Sequence, residues 1–259
     1  MSLSTVAVKK PMRLHEHIQN FLNDYLKEPV GQKHLAMAEA EFVDVPRRFI
    51  AIRAKYAAGQ EITDDVLNGL LPHGDSPYHR ENGYRISQWP CVTRDVRQWF
   101  EASGWKKPED WKPTAELIFT SIDGLLRNDL VAWQLFVDSP YRHGFGAGFI
   151  SPILFALDRK YPVINSKVVK TYNYCSEQLD QADEIDASLA NYLANADKVQ
   201  QMQARLADYG LRQDHRRTGT PRSASPRNPI GFGVVVEGVA HRAAFGSAAF
   251  GQALHLVNC

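Results

Sequence analysis

The residue types best suited to binding chemistry lie between Tyr141 and Tyr174, in the sequence YRHGFGAGFISPILFALDRKYPVINSKVVKTYNY. Glycines at 144 and 146 would let the backbone approach an anion closely, and the next helix would present its first N–H groups to that anion. Five side chains around this turn and after the next helix can offer phosphate a charge or an N–H donor: Arg142, His143, Lys160, Lys167 and Lys170. The segment therefore predicts contacts with phosphate.

A purely structural interpretation of the same glycines is also open. Gly144, Gly146 and Gly148 can end one helix and allow the next helix to pack closely, without any ligand. The residue pattern is compatible with both roles. Asn165, which can accept from and donate to a base or a backbone group, completes the predicted DNA-binding set.

The chain lacks the short motifs that mark common catalytic and cofactor sites. It contains no GxxxxGK[ST] phosphate loop, no HExxH zinc motif and no GxSxG nucleophile motif. The glycine turn does not complete a dinucleotide-binding pattern, because Phe149 stands where its last glycine belongs. A paired-cysteine zinc site is not expected, since the cysteines are far apart: Cys91, Cys175 and Cys259. We expect no catalytic residue, no metal and no cofactor.

The glycine turn follows an apolar-x-x-Gly-apolar-Gly pattern, and the run Val163-Ile164-Asn165-Ser166-Lys167-Val168 comes after it. This layout resembles the helix-hairpin-helix DNA glycosylases. In that family an apolar residue and a catalytic Asp stand at the positions that Ile164 and Asn165 occupy here. Asn165 replaces that carboxylate and cannot act as a base. Ala147 and Gly148 stand where bifunctional members have a catalytic Lys. A base-excision enzyme is therefore an alternative that needs another acid, and Asp158 is the nearby carboxylate.

A second resemblance covers about residues 59–174. Its matching stretches follow one another along the chain: ITDDVL (62–67), LLP (70–72), DVRQWFEASGW (95–105), PEDW (108–111), GF (144–145), SPIL (151–154) and NY (173–174). They resemble the region ahead of the ATPase domain in McrB-type, modification-specific restriction AAA+ ATPases. The resemblance implies a specificity module that binds double-stranded DNA with modified cytosine, while an AAA+ motor and a nuclease act downstream. This chain stops before any motor, which fits a broken or truncated gene and favours a tail translated out of frame. An AAA+ motor or nuclease subunit is the partner that the resemblance implies.

Composition excludes several classes of protein. Of the 259 residues, 44% are hydrophobic and 23% are charged, and the net charge is +1, so collagen-like chains and wholly basic nucleic-acid binders are excluded. The few separated cysteines favour a reducing compartment. No apolar run is long enough for a membrane-spanning helix, and no apolar region follows the N-terminal lysines as in a secretory signal. We therefore expect a cytoplasmic protein without a membrane partner.

The apolar spacing predicts a mainly α-helical, multi-helix globular domain over residues 11–212, with a helix-hairpin-helix-like segment. Helices are predicted over 14–26, 34–45, 46–58, 66–71, 93–103, 113–127, 130–137, 149–157, 166–176 and 187–209. A loop over 72–84 and a short strand over 85–89 interrupt them. Acidic residues at 64–65 and 109–110 are expected to stabilise helix starts rather than to form catalytic pairs.

Two further sets of residues have both a functional and a structural interpretation. The loop from His73 to Arg80 is either a groove-binding loop or a solvated connection, and the connection is favoured. The tryptophans can form a cage for a flipped base, but packing is favoured: Trp89, Trp99, Trp105, Trp111 and Trp133.

The segment 213–259 differs in composition from the rest of the chain. Every lysine lies at or before Lys198, while Arg, Gly, Ala and Pro dominate the end of the chain without apolar periodicity. We predict a loosely structured tail that is either a flexible extension or a stretch translated out of frame. For residues 11–212 we expect a non-catalytic DNA-binding module of a restriction or defence system. The alternatives are the glycosylase-like enzyme and a helical protein-interaction domain without nucleic-acid binding.

Overall fold

A computed structural model describes residues 24–179 and 183–218, without the side chains of Leu26 and of 206–218. In these ranges the chain forms α-helices and short 3-10 turns and no extended strand, as the helical periodicity predicts. The helices are α1 Pro29–Ala57, α2 Thr63–Gly69, α3 Pro77–Glu81, α4 Val96–Ala102, α5 Trp111–Leu126, α6 Leu130–Asp138, α7 Ala147–Leu157, α8 Ser166–Gln178 and α9 Tyr192–Thr218. None of the helices in the described ranges is long and apolar enough to cross a lipid bilayer.

Helix α1 joins two stretches that the sequence predicts as separate helices. It starts with Pro29 at its first position and continues through Pro46 to Ala57, where Gly59 in the left-handed region (φ 68°) ends it. Proline removes one helical hydrogen bond, but the helix is continuous because one side of it is buried along most of its length. The buried residues recur every three or four positions: Ala38, Glu41, Val45, Phe49 and Ile52.

The core surrounds helix α7, which is buried at nearly every position from Ala147 to Ala156. Helix α1 packs against α7, and α5 packs against both α2 and α6. The turn between α5 and α6 is tight because Gly124 has no Cβ that would collide with Ala132, and Asp129 accepts hydrogen bonds from the first N–H groups of α6. The prediction that the apolar stretch 149–157 is a buried central helix is confirmed.

The region between α2 and α4 differs from its prediction in two ways. The predicted strand over 85–89 is wrong, because this segment makes one isolated bridge, between Ile86 and His73. A second isolated bridge joins His73 to Val92, beyond the segment. The predicted loop over 72–84 contains helix α3, whose N-cap Ser76 accepts a hydrogen bond from the His79 N–H. A short alternating apolar pattern cannot distinguish a strand from an extended connection that packs against helices.

Two predictions lie largely outside the described residues. Of the helix predicted over 14–26, only residues 24–26 are described, and Tyr25–Lys27 form a 3-10 turn before α1. Of the predicted tail over 213–259, only residues 213–218 are described, and they continue the backbone of α9. The acids at 64–65 and 109–110 lie in the first turns of a helix and of a 3-10 turn, as predicted.

Candidate nucleic-acid interface

The glycine turn before α7 packs closely against aromatic rings. Gly144 has a φ of 88°, and a Cβ at this position would lie 2.5 Å from Cε2 of Phe100 and 2.9 Å from Cε3 of Trp105. Gly146 is the N-cap of α7, where the Ala147 N–H donates to the Ala187 carbonyl at 3.0 Å. The geometry gives these glycines a packing role, and their contact with phosphate stays a prediction.

Asn165 is the N-cap of helix α8. Its Oδ1 accepts hydrogen bonds from the Lys167 and Val168 N–H groups, both at 3.0 Å. The Ile164 N–H donates to Oγ of Ser151 at 2.9 Å and holds this segment beside α7. The amide Nδ2 of Asn165 has no hydrogen-bond partner among the described residues, so it keeps a donor for a ligand oxygen.

Lys167 and Lys170 are exposed on the first turns of α8 and lie one helical turn apart. Lys167 lies near His34, which follows Lys33 at the start of α1: burial lowers the pKa of His34, and the charges of Lys33 and Lys167 lower it further. The lysines Lys33, Lys167 and Lys170 are called the basic patch below; His34 lies among them, but its lowered pKa disfavours a charge on its ring. Lys33 also lies 3.9 Å from Asp75.

The predicted cations differ in whether an acid neutralises them. Within the described part of the chain, Arg142, Lys167 and Lys170 form no ion pair, whereas most other surface cations do. Lys160 is paired: its Nζ lies 3.2 Å from Asp158 and 3.4 Å from Oδ1 of Asn128. A cation without an acidic neighbour attracts an external phosphate more strongly than a neutralised one.

The predicted site residues lie in two places. The turn at 144–148 and Asn165 share the N-terminal end of α7, since a Cβ added to Gly148 would lie 3.5 Å from Cβ of Asn165. Lys160 follows the other end of α7, a helix of 11 residues and therefore about 16 Å long. Asp158, the acid that the glycosylase alternative would need, is also at that far end and ends α7.

Arg142 and His143 border the N-terminal end of α7 and are both exposed. The His143 ring packs edge-on against Trp105, with 5.4 Å between the ring centroids. The His143 carbonyl accepts a hydrogen bond from the buried Lys106 Nζ at 3.1 Å, and burial lowers the pKa of Lys106. Arg142 is therefore the exposed cation of this turn, and His143 has a structural contact as well.

The loop after α2 contains a buried polar cluster that the favoured sequence interpretation of a solvated connection misses. His73 and His79 are fully buried; His73 Nε2 bonds to the Leu67 carbonyl at 2.9 Å and His79 Nδ1 to the Gly74 carbonyl at 2.7 Å. Burial lowers the pKa of His73 to about 4, so its ring is neutral at physiological pH. The two histidines therefore belong to the core and are not available to a DNA groove, whereas the loop is exposed at Asp75, Pro77, Tyr78 and Arg80.

The tryptophans pack rather than form a cage, as the favoured interpretation predicts. Trp89, Trp111 and Trp133 are buried in different parts of the core. Trp105, 39% exposed, contacts Trp99 and Phe100 with ring-centroid distances of 5.9 and 5.2 Å. No open aromatic pocket for a base follows from these contacts.

In the described residues, no three His, Cys, Asp or Glu side chains come together in a group that could hold a metal ion. The sequence signal for the basic patch is weak, because Lys33-His34 and Lys167 are far apart in the chain and only folding brings them together.

No protein-family model matches the chain. No curated protein and no solved structure matches it either.

Proposed function

We propose that residues 11–212 are a non-catalytic DNA-recognition module of a restriction or defence system, which acts together with a separate AAA+ motor or nuclease subunit. The observation that carries the proposal is the basic patch: Lys167 and Lys170 are exposed one helical turn apart on α8 and form no ion pair in the described part of the chain. Lys33, on α1, adds a charge that it shares with Asp75. Phosphate contacts supply most of the affinity of such modules for DNA, and they need unpaired surface cations. The resemblance of residues 59–174 to McrB-type proteins supplies the biological setting.

Each residue of the interface has a defined part in the proposal. Lys167 and Lys170 neutralise phosphates of the duplex, and Arg142 extends the contact towards the turn before α7. Asn165 Nδ2 donates to a phosphate or base oxygen, because its Oδ1 is already used to cap α8. Lys160 makes at most a peripheral contact, since Asp158 already neutralises it.

Equilibrium binding of the full chain to fluorescent duplexes tests this proposal. Three duplexes with plain, 5-methylated and 5-hydroxymethylated cytosine are titrated at several salt concentrations. We expect affinity that falls steeply with salt and is highest for one modified duplex. No binding at low salt would contradict the proposal and would favour the helical protein-interaction domain.

A matched pair of double variants locates the interface. If each lysine contacts one phosphate, combining Lys167→Ala with Lys170→Ala should reduce the slope of log K against log salt concentration (the salt slope) by about two. The same double variant should weaken binding about 60-fold at 0.1 M salt. Lys55→Ala with Lys112→Ala removes the same charge from lysines that already pair with Asp65 and Glu61, so it should change both quantities little. Equal effects of the two double variants would exclude the basic patch as the interface.

A further inference from the structure

Helix α1 carries a second apolar stripe on the side opposite the core. Its residues recur at alternating spacings of four and three, and all are exposed: Ala36, Ala40, Val43, Arg47, Ile50, Ala54 and Ala57. Val43 and Ile50 are 72% and 64% exposed. This stripe is called the outer seam.

The outer seam is unusual for a surface helix. A helix at the edge of a globular core normally presents charged and polar residues to water on its outward face. In α1 the charged residues Glu39, Asp44 and Arg53 instead flank the outer seam, and alanine and β-branched residues fill it at every position except Arg47. Alternating spacings of four and three with flanking charges are the pattern by which helices pair in coiled coils.

The outer seam has a similar order of residue types on the N-terminal and on the C-terminal side of Arg47. Val43 and Ile50 lie on either side of it, then Ala40 and Ala54, then Ala36 and Ala57. We propose that the outer seam is a homodimer interface, in which α1 of a second copy packs antiparallel around a two-fold axis near Arg47. The axis creates two equivalent contacts, each between Val43 of one copy and Ile50 of the other. The small alanines further out let the ends of the two helices approach closely.

Charge complementarity selects a second copy over other occupants. In the antiparallel arrangement Glu39, which forms no ion pair within the described part of its own chain, lies opposite Arg53 of the second copy. The Arg53 guanidinium also binds Asp123 of its own chain and keeps further N–H donors for a second carboxylate. Arg47 is 2.7 Å from Asp44 of its own chain, and Asp44 also binds Arg48 at 2.7 Å. The two Arg47 side chains near the axis therefore each bring a carboxylate with them. A two-fold interface of this kind is self-complementary and closes without forming fibres. The seam covers about 30 Å of helix.

Sedimentation velocity of the full chain between 5 and 200 µM tests the proposal. We expect a monomer–dimer equilibrium whose dissociation constant rises at least tenfold when Val43→Glu and Ile50→Glu are combined. The matched control is Val131→Glu with Leu135→Glu on α6, whose side chains are 69% and 62% exposed, and it should dimerise like the unmodified chain. Glu39→Lys should also weaken the dimer, because it faces Arg53 of the second copy.

Disulfide cross-linking tests the direction of pairing. In a background with Cys259→Ser, a mixture of Val43→Cys and Ile50→Cys chains should cross-link at least tenfold faster than either variant alone. Faster cross-linking of Val43→Cys with itself would overturn the antiparallel arrangement. A chain that stays monomeric at all concentrations, or a dimer that the seam variants do not weaken, would overturn the interface itself.

Discussion

The carboxylate of Glu41 in α1 and the guanidinium of Arg85, between α3 and α4, form an ion pair 3.3 Å apart whose side chains are each only 4% exposed. The Gln88 N–H also donates to Glu41, and Arg85 Nη2 donates to the Leu70 carbonyl at 3.0 Å. Burial raises the pKa of Glu41 and lowers the pKa of Arg85, while each partner's charge opposes the shift. The pair therefore joins α1 to the connection that carries the buried histidines.

Replacing one partner of this pair should destabilise the fold strongly. Glu41→Ala leaves Arg85 buried without its counter-charge, so we expect a loss of about 3–5 kcal/mol in the free energy of unfolding. Urea denaturation at pH 7 measures it. Combining Glu41→Ala with Arg85→Met should recover part of the loss, because no charge is then buried.

The control for this prediction is the exposed pair Lys112–Glu61, 3.9 Å apart, with side chains 65% and 56% exposed. Lys112→Ala should not change the urea midpoint measurably, since water screens such a pair. If Glu41→Ala destabilises the chain no more than Lys112→Ala does, the buried pair does not hold α1 to the connection.

The neutral His73 makes stability fall in weak acid. Its folded pKa of about 4 lies below the ordinary 6.5, because burial penalises the charged ring. Between these two pKa values the unfolded chain binds a proton that the folded chain does not. The contribution of neutral His73 to the free energy of unfolding is therefore fully present above about pH 6.5 and is lost as the pH falls towards 4. The loss reaches about 3 kcal/mol.

A glutamine variant isolates this effect from that of the carboxylates, because both chains carry the same carboxylates. The difference in the free energy of unfolding between His73→Gln and the unmodified chain should narrow as the pH falls from 7.5 to 5. Urea midpoints at both pH values provide the measurement. A His73→Gln difference that is equal at both pH values would show that His73 is not held neutral.

The helical architecture was predictable because its signals are local. Apolar residues at helical spacing mark α5 through Leu117, Ile118 and Ile122, and the sequence places the helix within two residues of its observed bounds. Such periodicity depends on neighbours along the chain. The same rules wrongly divide α1 into two helices at Pro46. The helix continues there because burial of one face outweighs the hydrogen bond that proline removes.

The arrangement of the candidate site was less predictable because it depends on contacts between distant residues. The segment containing Asn165, Lys167 and Lys170 can be chosen from the sequence, but no local pattern indicates that Lys167 lies near His34. The pairing of Lys160 with Asp158 and Asn128, and the burial of His73, also follow only from the tertiary structure.

The packing role of Gly144 can be measured against a second left-handed glycine. Gly144→Ala adds a Cβ that collides with Phe100, whereas Gly59, with a φ of 68°, has no atom within 4 Å of such a Cβ. Gly59→Ala should therefore cost about 1–2 kcal/mol of backbone strain, and Gly144→Ala about 1–3 kcal/mol more from overpacking. Equal losses in urea denaturation would mean that the turn relaxes and that Gly144 is not required for packing.

Variants of Asn165 separate its cap from its predicted contact with DNA. Asn165→Asp keeps an oxygen for the Lys167 and Val168 N–H groups and adds a negative charge at the start of α8, so stability should be unchanged or rise by about 0.3–1 kcal/mol. Asn165→Ala removes the cap and should cost about 1 kcal/mol. Urea denaturation measures both effects.

DNA binding by the same two variants should follow the opposite order. The aspartate places a negative charge beside Lys167, so Asn165→Asp should weaken binding more than Asn165→Ala does, although it is the more stable protein. If Asn165→Asp binds duplex DNA as tightly as the unmodified chain, the start of α8 does not face phosphate. If it instead forms abasic sites that the unmodified chain does not form, the glycosylase alternative is favoured, because the restored carboxylate then supplies the missing acid at the place where that family carries it.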